Sequence, residues 1–120
     1  MTYIDGFVLC VPNNKLKDYK KIARKAGKIW MKYGALQYKE AVADDVEDKG
    51  FCATFPQIAK PKKDETVIFS FIIYKSRKHR DLVNKKVMAD SKLKEDCEKS
   101  SKIFDCKRMA YGGFKTIVEF

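Results

Sequence analysis

The chain contains no apolar run near the roughly 20 residues that a helix needs to cross a bilayer, which predicts a protein that does not span a membrane. Its opening Met1-Thr2-Tyr3-Ile4-Asp5-Gly6 lacks the basic segment, apolar stretch and small-residue cleavage site of a secretory signal, so the expected location is cytoplasmic. Four cysteines stand too far apart for the close pairs that bring thiolates onto one zinc ion, and a reducing compartment would keep them as thiols. With His79 as the single histidine, one chain cannot build a multi-histidine metal site. Gly112-Gly113 lacks the wider glycine pattern and the following helix of a phosphate loop. Neither a nucleophile triad nor a cofactor fingerprint is present, so no metal and no cofactor are expected.

Arginine is scarce too. Of 26 basic residues only Arg24, Arg77, Arg80 and Arg108 carry the forked guanidinium that suits phosphates and guanines, although net charge is +10. That balance predicts a lysine-rich solvated surface and argues against nucleic acid; an RNA-binding or protein-interaction module on lysine-rich helix faces stands as the alternative.

What is present is a clear alternation of element types within a length suited to one domain over residues 1–120. Residues 3–11 are β-branched and aromatic up to Pro12, giving a first strand. Asn13 and Asn14 are helix-capping types, and Leu16, Tyr19, Ala23, Ala26, Trp30 and Tyr33 then recur at helical spacing until Gly34. A second strand over about 35–43 puts Leu36, Tyr38, Glu40 and Val42 on one face. Residues 44–65 form a long charged connection in which Phe51, Phe55 and Ile58 are apolar enough to dock. Thr66 to Tyr74 is apolar on both faces and reads as a central strand. Ser76 caps a second helix to about Met88, with His79, Leu82, Val83 and Val87 inward. Residues 89–103 read as a polar loop with a helical turn, and a last strand over about 107–118 meets a bulge or close backbone approach at Gly112-Gly113.

The order βαββαβ predicts an α+β, ferredoxin-like antiparallel sheet in strand order 4-1-3-2 with two helices on one face. Strands one and three are apolar on both sides, so the second face needs a cover, and the economical one is a second copy about a two-fold axis. A homodimer through the open sheet face is therefore expected.

Tyr3-Ile4-Asp5-Gly6-Phe7-Val8, Ala26-Gly27-Lys28-Ile29-Trp30, Tyr33-Gly34-Ala35-Leu36-Gln37-Tyr38, Glu65-Thr66-Val67-Ile68-Phe69-Ser70 and Lys107-Arg108-Met109-Ala110-Tyr111-Gly112-Gly113-Phe114 together resemble the YbaA-like family of small uncharacterised bacterial proteins. Cys106 departs from the glycine expected there. The resemblance implies a dimeric α+β barrel, a superfamily that includes small monooxygenases, haem-degrading enzymes and isomerases, but no activity for the family itself.

Three charged residues stand out as candidates for chemistry. Asp5 alternates with Tyr3 and Phe7 and should point into an apolar layer, where Arg108 or Lys107 of the neighbouring last strand would be its counter-ion. Glu40 lies between Tyr38 and Val42 on an edge strand, where solvation is easier. Tyr3, Trp30, Tyr33, Tyr38, Phe69, Phe71 and Tyr111 are the aromatics that would wall a ligand pocket between helices and sheet, with plain core packing as the bland explanation. A small-molecule site there predicts a closed cavity of about 300 Å³ or more.

Overall fold

The computed structural model describes residues 1–120. Its four strands are β1 (Tyr3–Pro12), β2 (Gln37–Val42), β3 (Glu65–Tyr74) and β4 (Ala110–Lys115), and its helices are α1 (Leu16–Lys32), α2 (Phe55–Ala59), α3 (Arg77–Met88) and α4 (Ser91–Ser100). The strands form one antiparallel sheet in the order β2-β3-β1-β4, which is the 4-1-3-2 arrangement expected of the ferredoxin-like fold. No helix is long and apolar enough to cross a membrane.

The long central strands pair Leu9 with Ile68 and Asp5 with Ile72, so Tyr3, Asp5, Phe7, Leu9 and Val11 share a face with Ile68, Ser70, Ile72 and Tyr74. That face packs against helices. Leu9, Val11 and Ile68 meet Tyr19 and Ala23 of α1 together with Ile103, while Ile72 and Tyr74 meet Ile29, Val83, Val87 and Leu93. The end of α1 is fixed by Gly34 at φ 115°: its N–H donates to the Met31 carbonyl and that of Ala35 to the Trp30 carbonyl, closing a Schellman motif.

Several sequence expectations need correction. Asn13 and Asn14 do not cap α1. They sit in a 3-10 turn over Asn13–Lys15, where the Asn13 side chain accepts from the Thr66 hydroxyl. Residues 89–103 are not mainly loop: Asp90 caps α4 through the Lys92 N–H, and Leu93 seals against the core at 3 % exposure. A third helix therefore joins α1 and α3 on this face. On α3 Val83 and Val87 are buried as expected and His79 is half-buried against Tyr74, but Leu82 points out, and the inward stripe is completed by Arg80 and Asn84. The last strand is shorter than expected, since Cys106–Arg108 forms a 3-10 turn before it. Gly112-Gly113 makes no bulge, and the close approach is made by side chains: a Cβ on Gly113 would meet the Tyr3 ring at 2.8 Å, and the Phe114 ring lies beside Gly112 and Gly6.

The opposite face carries Ile4, Val8 and Cys10 of β1, Val67, Phe69, Phe71 and Ile73 of β3, and Phe114 of β4. Only one end is covered. There α2, capped by Thr54 in a reciprocal capping box with Gln57, lies across Cys10 and Val67, with Phe55 edge-on to Phe69. Phe69 and Phe114 remain 43 % and 64 % exposed.

Candidate functional site

The sequence candidates fall into three places. Asp5 is one centre: it is 1 % exposed, and its Oδ1 accepts from Arg80 of α3 at 2.8 Å, not from Arg108 or Lys107. Burial pushes its carboxyl above the ordinary range, while the Arg80 guanidinium pulls the other way. Arg80 also donates to the Tyr111 hydroxyl at 3.0 Å and stacks over the Tyr3 ring. Beside this, Asn84 Oδ1 accepts from both the Trp30 indole and the Tyr74 hydroxyl at 3.1 Å. The network straps α3 to the sheet through charge and hydrogen bonds where an apolar contact would ordinarily serve.

Arg108 lies elsewhere. Its guanidinium forms a fork on Glu65 at 2.8 and 3.0 Å and reaches the Lys60 carbonyl, fixing the start of β3 to the segment after α2. These bonds hold the Glu65 carboxyl down at about 2. The reason for the altered partnership is local: the 3-10 turn over Cys106–Arg108 ends β4 before Arg108 can lie alongside β1 in the ladder.

Glu40 marks the third place. Although β2 is an edge strand, its carboxylate is not simply solvated: Tyr19 donates to Oε1 at 2.5 Å and Tyr38 to Oε2 at 2.6 Å. Burial and the adjacent Glu40 charge both push these phenols upward, so they stay protonated as donors. Gly27 permits the arrangement, because a Cβ there would meet the Tyr38 ring at 2.8 Å.

Two recesses flank this trio. One, of about 240 Å³, lies between the sheet and helices α1 and α4 and is walled by Phe7, Leu9, Ala26, Trp30, Phe104 and Met109 among others. The second, of about 550 Å³, is a groove between α1 and β2 with Lys17, Lys20 and Arg24 at its rim. Tyr19, Ala23, Tyr38 and Glu40 line both. The inner space is smaller than the 300 Å³ expected and is partly open to solvent. Of the predicted aromatic walls, Trp30 and Tyr38 line it. Phe69 and Phe71 do not, since their parity along β3 places them on the opposite face; Tyr3 and Tyr111 belong to the Asp5 network, and Tyr33 donates to Asp90 at 2.7 Å.

Sequence reasoning passed over Tyr19 as a polar group, along with Arg80, Asn84 and Asp96. Asp96 hides in α4, and the spacing of Leu93, Cys97, Ser100 and Phe104 would have revealed that helix.

A family model described as a protein of unknown function (DUF1428) matches residues 2–106. The chain is 43 % identical over 119 residues to the uncharacterized protein YbaA of Escherichia coli strain K12 and to that of Shigella flexneri, covering 99 % of each chain. Among solved structures it is similar to a mutant of SnoaB, a cofactor-independent oxygenase from Streptomyces nogalater, with TM-score 0.63, 7 % identity and coverage of 98 % and 95 %. It is also similar to an uncharacterized NIPSNAP domain protein from Burkholderia xenovorans, with TM-score 0.57, 10 % identity and coverage of 95 % and 93 %. At such identities the likeness carries the fold alone.

Proposed function

Because the chain belongs to the DUF1428 family, to which no activity is assigned, we propose a function from its geometry: it binds a small, mainly apolar molecule between sheet and helices, as a homodimer joined through the open sheet face. One observation carries this. A carboxylate with two protonated tyrosine donors stands between two apolar recesses, which is the usual make-up of a ligand site: greasy walls and a few fixed polar groups. The inner recess suits a molecule about one ring in size, since a 150 Å³ apolar cavity already accepts benzene. The half-open face of Ile4, Phe69, Phe71 and Phe114 supports self-association, and the likeness to an oxygenase fold adds the precedent of a ligand-handling protein. The four free thiols suit the reducing cytoplasm.

The lone tryptophan, Trp30, lines the inner recess and supplies the test. Neutral one-ring aromatics should change its fluorescence saturably, and Ala26→Leu, which fills the recess from α1, should abolish the change. A flat Trp30 signal across such a panel at millimolar concentration would refute ligand binding there.

The lysine faces favour a second function less strongly. Lys25, Lys28, Lys32, Lys92 and Lys99 line a cleft of about 410 Å³ between α1 and α4, yet Asp90, Glu95 and Asp96 share it and offset much of the charge a polyanion would need. RNA affinity that falls steeply with salt and drops on changing Lys21, Lys25 and Lys28 together would restore it.

A further inference from the structure

Three acids hold carboxyls in or against the packed interior with their needs met: Asp5 by Arg80, Glu65 by Arg108, and Glu40 by two tyrosines. Asp96 is the exception. It is 6 % exposed, comes from the inner side of α4, and takes part in no hydrogen bond or ion pair within the chain. A buried carboxylate without a donor costs free energy that a folded chain normally recovers from a partner. No side-chain polar atom is both sealed from water and unpartnered, so the Asp96 oxygens reach open space; that space is the inner recess on one side and the lysine cleft on the other.

From this we propose, building on the ligand site above, that Asp96 is the second polar anchor of the inner recess and that the ligand is an uncharged, ring-sized molecule bearing O–H or N–H donors, a phenol above all. Two of the polar side chains that line the recess, Glu40 from the sheet wall and Asp96 from the helix wall, are carboxylates, which accept but do not donate, while the Ser70 hydroxyl can do either and that of Ser100 is spent as a donor on the Cys97 carbonyl. A ligand rich in acceptors alone would leave Asp96 unpaired, and an acid would face two like charges. A cation is disfavoured from the other side, because Lys25, Lys28, Lys92 and Lys99 ring the outer approach to the same carboxylate. A neutral donor escapes both penalties. The apolar walls supplied by Phe7, Trp30 and Met109 take the ring.

Resorcinol and its dimethyl ether make the decisive pair, since they share a ring and differ in having donors or only acceptors. Trp30 fluorescence titration should show resorcinol bound about tenfold or more tightly than the ether, the margin of one charge-assisted hydrogen bond. In Asp96→Asn, where the amide can donate as well as accept, that preference should collapse toward parity while circular dichroism stays unchanged; Asp96→Glu should keep it. A purely structural Asp96 would leave the ratio untouched. Equal binding of the two probes by the unaltered protein, or a ratio that survives Asp96→Asn, overturns the role of Asp96 but leaves the pocket standing. Binding of neither probe removes both.

Discussion

Replacing Phe69 with glutamate should take the proposed homodimer apart into single subunits. The side chain is 43 % exposed on the sheet face away from α1, α3 and α4, beside Phe71 and Phe55. With about 200 Å² of surface for a phenylalanine, roughly 85 Å² is left for a partner to cover, which is worth about 2 kcal/mol at ~25 cal/mol per Å². A two-fold axis uses each residue twice, so losing it removes about 4 kcal/mol and raises the dimer dissociation constant about a thousandfold. Stranding two carboxylates on an apolar layer only adds to that. Sedimentation velocity at low micromolar concentration should find the parent protein dimeric and Phe69→Glu monomeric with unchanged far-ultraviolet circular dichroism. Leu82→Glu, on the outer side of α3 and 52 % exposed, should stay dimeric. A parent protein that sediments as a monomer, or a Phe69→Glu protein that remains dimeric, refutes pairing through this face.

Three further outcomes follow from the described contacts. Asp5→Asn keeps the shape but removes the buried partner of Arg80, whose side chain is 13 % exposed, leaving it only the exposed Asp81 carboxylate on its Nε; a loss of about 2 kcal/mol, or roughly 5–10 °C in Tm, should appear in thermal melts, and Arg80→Met should recover part of it in the double variant. Gly27→Ala, which in an open helix would stabilise by about 1 kcal/mol, should here cost about 1–3 kcal/mol because the new methyl meets the Tyr38 ring at 2.8 Å; a raised Tm would contradict that packing. Glu65 titrates at about 2 when folded against an ordinary 4.5, so its stabilising contribution is complete above pH 4.5 and disappears as pH falls toward 2. Glu65→Gln should accordingly melt below the parent near neutrality, with the gap closing across that window; a gap independent of pH would exclude the Arg108 pair as its source.

The long strands and α1 were legible because their signals are unambiguous: short β-branched and aromatic runs, apolar on both faces, along 3–11 and 66–74, and three-four spacing from Leu16 to Tyr33 closed by a glycine. Strand order followed from the βαββαβ succession. What stayed hidden was polar. The charged surface of α4 masks Leu93, Cys97 and Phe104, so Asp96 was lost with the helix that presents it. Asp5 was correctly expected to point inward, yet its partner came from α3, since a guanidinium on the inward stripe of a helix looks in sequence like any exposed basic residue. Glu40 was flagged, but its phenolic partners sit 21 and 2 residues away, and only the fold brings Tyr19 across from α1 to join Tyr38. Phe69 and Phe71 were assigned to the wrong side because aromatic content was weighed before strand parity.

The short helix α2 shares its layer with any second subunit that settles on the sheet. Seated over Cys10 and Val67 and anchored by Phe55, it would work like a doorstop in the proposed dimer: an arriving copy could slide along the strands only until it met this ridge. In the proposed homodimer the offset between two docked sheets would thereby be set by the connection between β2 and β3, and lengthening or trimming residues 44–64 would retune how the copies align without touching a single strand.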